Sequence, residues 1–136
     1  PRQGSLMSEA FEFRKAIGRA RDRVPDYEIN VAVVRYRAKS GEIKTRAFRS
    51  GTEHADGTWG MSGSGRNHSE QHMIRWLEDN KYTKKDVISV FTERSPCCLV
   101  RANCTDELKR FGISSNRVFF AMPHGSTPSE LRDMYR

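Results

Sequence analysis

A chain of 136 residues, 36% hydrophobic and 30% charged, has apolar material for one packed core but not for two. It contains no run of about 18 apolar residues that could cross a bilayer. Its net charge of +7 is uneven, since residues 1–49 hold 12 Lys/Arg against 6 Asp/Glu while residues 50–136 hold 12 against 11. A basic half points to an anionic partner, a nucleic acid or an acidic protein; an Arg-rich solvated surface is the plainer alternative. Three cysteines, with no apolar leader in the first 20 residues, suit metal or thiol chemistry better than a disulfide framework.

At the start, Pro1-Arg2-Gln3-Gly4-Ser5 reads as a protease-site or cloning remnant. Residues 1–6 are therefore set apart, and residues 7–136 are expected to form a single domain cut from a longer protein. Ser8 suits a helix N-cap, and Ala10, Phe13, Ile17 and Ala20 recur at three- and four-residue spacing, predicting a helix that Val24-Pro25-Asp26 ends. Residues 28–37 predict a strand. Ile29, Val31 and Val33 share one face, and Ala32 and Val34 make the other apolar too, as in a central strand. Lys39-Ser40-Gly41 turns the chain into a half-buried partner strand through Ile43, Thr45 and Ala47, a β-hairpin. Residues 50–67 carry Gly51, Gly57, Gly60, Gly63 and Gly65 and predict a loop. Around Asn67 a second helix opens, with Met73, Ile74 and Leu77 facing inward, and Val87 to Phe91 predicts a strand. Cys104 or Thr105 starts a helix reaching about Arg110, with Asp106 and Glu107 favourably placed in its first turn. Arg117 to Met122 predicts another strand, and Thr127-Pro128-Ser129-Glu130 starts a last helix. The order α-β-β-α-β-α-β-α implies an α/β fold, a three-layer α/β/α sandwich with a mixed sheet of four or five strands.

His68-Ser69-Glu70, followed by Pro96-Cys97 and Cys104, carries the chemistry. One histidine and two cysteines can hold zinc with one position open, where a bound water's pKa falls to about 7. Positions i and i+2 do not share a helix face. His68 and Glu70 therefore reach one site only at a helix start, which suits a ligand beside an acid rather than two ligands. His72 stands four residues after His68, but the zinc-protease pattern needs Glu directly after its first His. The order here is His-Ser-Glu-Gln-His, so His72 reads as a surface or packing residue. Six residues separate Cys97 from Cys104, about 10.5 Å of rise on a straight helix. Shared binding requires residues 98–103 to loop out and Cys104 to fold back at the next helix start. Cys98 rivals Cys97, which is favoured because Pro96 fixes the backbone just before it. Buried structural cysteines without metal are the plain alternative.

From His68 to Cys104 the sequence resembles the zinc-dependent cytidine deaminase superfamily, whose signature is His-x-Glu followed by Pro-Cys-x-x-Cys. The wider context, Asn67-His68-Ser69-Glu70 and Thr92-Glu93-Arg94-Ser95-Pro96-Cys97, is similar to the branch found as C-terminal toxin domains of bacterial secreted effectors. The resemblance implies the cytidine deaminase-like fold over residues 8–136. It implies zinc (Zn2+) on His68, Cys97 and Cys104, and Glu70 as the general acid/base that converts cytosine to uracil with release of ammonia. It further implies a substrate pocket lined by Asn67, Ser95 and Pro96, action in a target-cell cytoplasm, and an acidic immunity protein as partner. The departure is the six-residue spacer between the cysteines, where two is usual. Trp59 is a candidate for stacking on a base, and anchoring its loop against the protein is equally open to it.

The basic N-terminal half and the glycine-rich loop favour a nucleic-acid substrate, single-stranded because its base needs no unpairing, with DNA ahead of RNA. A free-nucleoside deaminase and a tRNA-adenine deaminase share the motif, since a zinc site alone does not separate C4 of cytosine from C6 of adenine. The non-enzyme alternative is a structural zinc module on nucleic acid. It needs a fourth ligand, such as Cys98 or His72, and leaves Glu70 without a role.

Overall fold

Four consecutive apolar residues, Val31-Ala32-Val33-Val34, leave a strand no polar face, and burial of both faces drives it to the middle of a sheet. The computed structural model describes residues 2–3, 29–53, 59–60, 68–94, 104–122 and 126–134. Its strands are β1 (Arg2–Gln3), β2 (Val31–Arg37), β3 (Ile43–Arg49), β4 (Thr52–Glu53), β5 (Trp59–Gly60), β6 (Val87–Arg94) and β7 (Val118–Met122). Its helices are α1 (Ser69–Asp79), α2 (Cys104–Phe111) and α3 (Pro128–Met134). Five strands form one sheet in the order β1-β7-β6-β2-β3. β2, an interior strand, runs antiparallel to β3 and β6, while β1 and β6 run parallel to β7. The fold is therefore α/β with a mixed sheet, as the sequence predicts. The four apolar residues of β2 are all buried.

The alternation of β2 sorts its side chains between two clusters. Ala32, Val34 and Tyr36 face α1, where Met73, Ile74 and Leu77 bury the inward face expected of that helix. Leu108 of α2 and Ile113 join the same cluster. Burial of each such side chain contributes about 1.5–3 kcal/mol relative to exposure. On the other face Val31 and Val33 pack with Phe91 and Phe119.

Both α1 and α2 end in the same bonded turn. Ile113 N–H reaches Leu108 C=O at 2.9 Å and Gly112 N–H reaches Lys109 C=O at 3.0 Å, with Gly112 at φ +105°. At the end of α1, Tyr82 N–H reaches Leu77 C=O at 2.8 Å and Lys81 N–H reaches Glu78 C=O at 3.0 Å. Here the left-handed position, φ +61°, is held by Lys81, a residue with a Cβ where glycine is the usual choice.

Several boundaries differ from the sequence expectation. β2 begins at Val31, after Ile29 and Asn30. The 50–67 stretch contains a short antiparallel pair, Thr52 with Gly60 and Glu53 with Trp59. β6 continues past Phe91 to Arg94 because Thr92, Glu93 and Arg94, although polar, are buried. A 3-10 turn at Ser115–Arg117 delays β7 to Val118. Thr127 caps α3 as expected, since its hydroxyl accepts Glu130 N–H at 3.1 Å while the Glu130 carboxylate accepts Thr127 N–H at 3.3 Å. Arg2 and Gln3, inside the stretch set apart above, pair with Phe119 and Phe120. The helix expected from Ser8 to Val24 lies outside the described residues. Among the described residues no helix is long and apolar enough to cross a membrane.

Candidate active site

α1 begins where extended backbone ends. His68 is its N-cap, with φ −72° and ψ 153°, and its backbone N–H donates to Gln71 Oε1 at 3.1 Å. The helix thus opens one residue later than Asn67 suggests. Glu70 follows in the first turn, where the helix dipole favours an acid. It is only 3% exposed, and a carboxylate that deep must find donors. Ser69 hydroxyl donates to its Oε2 at 3.2 Å, and Thr92 hydroxyl donates to its Oε1 at 3.0 Å.

Thr92 comes from the end of β6, where the ladder with β2 changes character. The last backbone pair is Ala32 with Thr92. Beyond it, side chains replace backbone partners: Val31 N–H donates to the Glu93 carboxylate at 2.8 Å, and Arg94 N–H donates to Asn30 Oδ1 at 2.9 Å. Asn30 Nδ2 in turn donates to Ser69 Oγ and to Thr92 Oγ1, each at 2.8 Å. Arg94 reaches onward, its Nε donating to Ser126 C=O at 3.0 Å ahead of α3. One asparagine therefore ties the start of β2, the start of α1 and the end of β6 together around Glu70.

Of the residues singled out from the sequence, His68 and Glu70 stand together at the α1 start, with His68 half-buried. Cys104 is the first residue of α2, as its return at a helix start requires, although its side chain lies outside the described part. Asn67, Ser95, Pro96, Cys97 and Cys98 lie outside the described residues. Trp59 sits in β5 opposite Glu53. His72 packs as expected: its Nε2 lies 2.6 Å from Gly51 C=O. A carbonyl can only accept, so that nitrogen carries the proton. Among the described residues no group of three or more His, Cys, Asp and Glu stands together, a set that leaves out Cys97 and Cys98.

Asn30 carries no role in the sequence reading, and Ser69 and Thr92 enter it only as letters of a motif. The available signal was the abrupt one, a single Asn against four apolar residues, and a polar Thr-Glu-Arg run prolonging an apolar strand toward Pro96-Cys97.

Among known families, the model of the Xanthomonas-like deaminase family fits residues 27–133. That span includes β2, β3, β6, β7, α1, α2, all but the last residue of α3, Asn30 and every expected metal ligand. No curated protein and no solved structure matches the chain.

Proposed function

The chain belongs to the Xanthomonas-like deaminase family, and on that premise we propose that it is a zinc-dependent hydrolytic deaminase converting cytosine to uracil in single-stranded nucleic acid, DNA before RNA. The observation that carries this is Glu70, buried with a donor on each oxygen at the junction of two segments. One is the helix start that holds His68. The other is the strand end that leads, three residues past Arg94, to Cys97.

The donor set suits zinc, with one imidazole and two thiols from His68, Cys97 and Cys104, Cys98 being the rival to Cys97. The Glu70–Thr92 bond supports this, since it holds the helix start at His68 against the strand end that precedes Cys97 in sequence. Zinc bound there supplies a water acidic enough to serve as nucleophile at neutral pH. Glu70 takes one proton of the attacking water and gives it to N3, then takes the second from the new C4 hydroxyl and gives it to the departing amino group. The water's oxygen becomes O4 of uracil and ammonia leaves. Asn67, Ser95 and Pro96, beside the ligands in sequence, line the base pocket in this proposal, and Trp59 offers a stacking surface.

A polymer substrate is supported by where the charge falls. Residues 31–49 carry six Lys/Arg against one Asp/Glu, and β3 is one of the two edge strands of the sheet. Along the side shared with α1, the Arg46 guanidinium lies 4.7 Å from the Trp76 ring, and Trp76 stacks on Tyr82 at 5.6 Å. The Lys39 ammonium covers Tyr82 at 4.4 Å. Exposed Lys44 and Arg46 edge this strip; Glu42 offsets Lys44 at 3.8 Å, a weak pair since both are well exposed. Rings interleaved with cations suit a single strand, whose bases stack and whose phosphates are neutralised. The sequence resemblance extends the proposal to a toxin domain of a secreted effector acting inside a target cell, with an acidic immunity protein as its neutralising partner.

Incubation with a single-stranded oligodeoxynucleotide, its duplex, an RNA of equal sequence and free cytidine tests the substrate class. Uracil should form fastest in the single strand. Free cytidine turned over as fast as the oligonucleotide, with no dependence on salt, would overturn the polymer assignment.

A further inference from the structure

Resting on Glu70 as the proton carrier, we infer that Asn30 is a positioning residue that aims one hydroxyl proton, through Ser69 and Thr92, at each oxygen of the Glu70 carboxylate. Donor counting gives every bond its direction. Arg94 N–H has only a proton to give, so the Asn30 atom 2.9 Å from it must be the carbonyl oxygen, which fixes the orientation of the amide. The amide nitrogen then has two protons and two hydroxyl oxygens at 2.8 Å. Glu70 Oε1, at 3.5 Å from that nitrogen, is outside the range of a good N–H···O bond and loses the competition. Each hydroxyl, having accepted from Asn30, keeps one proton to give. Ser69 gives its proton to Glu70 Oε2 at 3.2 Å. Thr92 has two acceptors in reach, Glu70 Oε1 at 3.0 Å and Arg94 C=O at 2.9 Å.

A carboxylate oxygen is a stronger acceptor than a peptide carbonyl, so the Thr92 proton faces Glu70 Oε1. Ser69, the middle residue of His68-Ser69-Glu70, anchors the second oxygen. Both hydroxyls are held by the one Asn30 amide, so the heavy atoms of β2, α1 and β6 fix the aim of the carboxylate before a substrate arrives.

Thr92→Val removes the hydroxyl at similar volume, and Thr92→Ser restores it. With a single-stranded oligodeoxynucleotide, Thr92→Val should lower kcat roughly 10- to 100-fold, the scale of a hydrogen bond to a charged group. KM and zinc content should stay as in the wild type, and Thr92→Ser should return to within a few-fold of it. Asn30→Asp still accepts from Arg94 but cannot donate to the hydroxyls, and should fall like Thr92→Val. Nuclear magnetic resonance of the purified protein gives a readout independent of turnover. The Asn30 side-chain amide protons should exchange slowly, and their signals should move in Thr92→Val and in Ser69→Ala. Equal losses in Thr92→Ser and Thr92→Val, or amide protons exchanging as fast as exposed ones, overturns the positioning role. Glu70→Gln in the same assay separates the two levels. If Glu70→Gln is fully active, the role of Glu70 itself is wrong; if it is inactive while Thr92→Val turns over like wild type, only the positioning role fails.

Discussion

Glu70 and Thr92 stand 22 residues apart in the chain and 3.0 Å apart in the fold, and their hydrogen bond joins the first turn of α1 to the end of β6. Because His68 precedes the one and Pro96-Cys97 follows the other, this bond closes the frame in which the chemistry is proposed to occur. Its acid is buried and bonded on both oxygens, by the adjacent Ser69 and by Thr92 from a distant strand.

Replacing the acid separates chemistry from folding. Glu70→Gln keeps the side-chain shape and a hydrogen-bonding amide, so zinc content and melting behaviour should stay close to wild type. Deamination should fall by at least about 10²–10⁴, the usual worth of one general acid/base. Metal analysis beside a uracil assay reads both quantities on one sample. Activity near wild type with zinc bound removes Glu70 from the mechanism.

Two histidines one turn apart are predicted to behave differently. His68→Ala should lose zinc along with activity. His72→Ala should keep zinc and lose about 1 kcal/mol of stability, one net hydrogen bond, because its Nε2–H ties Gly51 C=O to α1. Among the cysteines, Cys97→Ala and Cys104→Ala should lose the metal and Cys98→Ala should retain it. Zinc kept by Cys97→Ala and lost by Cys98→Ala transfers the ligand to Cys98.

Lys81 occupies a left-handed position, φ +61°, in a helix-ending turn where Gly112 does the same for α2. A side chain there costs about 1–2 kcal/mol relative to a relaxed backbone, partly offset by the greater freedom glycine loses on folding. Lys81→Gly should therefore raise stability by up to about 1 kcal/mol, read as a higher midpoint in denaturant at an unchanged slope. A lower midpoint contradicts the strain assigned to Lys81.

Removing cations from the β3 edge tests the path of the polymer. For single strands the salt slope of binding falls by about 0.7 for each phosphate that is no longer neutralised. The double variant Lys44→Ala/Arg46→Ala should flatten the slope by roughly 1.4 on that scale and leave turnover of a mononucleotide unchanged. An unchanged slope moves the nucleic acid to another face.

The parts legible in the sequence were those written in apolar spacing. Met73, Ile74 and Leu77 announce the inward face of α1, and Val31 to Val34 announce a strand buried on both sides, because the periodicity of burial needs no knowledge of what covers it. His68 and Glu70 were legible as a helix-start pair for the geometric reason that i and i+2 meet only there. Asn30 was not legible. Its partners Thr92 and Arg94 lie 62 and 64 residues away, and before the register of β2 on β6 is known an Asn at that point is only a boundary. The same holds for Thr92 to Arg94, whose polarity reads as a strand end until their hydrogen bonds are seen. Nor does Lys81 resemble a left-handed cap, since tertiary packing of Tyr82 against Tyr36 and Trp76 holds the turn that its own preference resists.

Sequencing the DNA and RNA of cells that express the chain, beside cells expressing Glu70→Gln, addresses the proposed reaction at its source. Hydrolysis at C4 leaves uracil, which is copied as thymine. The expected result is an excess of C-to-T changes in DNA, greater than any C-to-U excess in RNA, and absent with Glu70→Gln. No excess over Glu70→Gln from a folded, zinc-loaded protein, or an excess of A-to-G changes instead, would contradict cytosine deamination by this site.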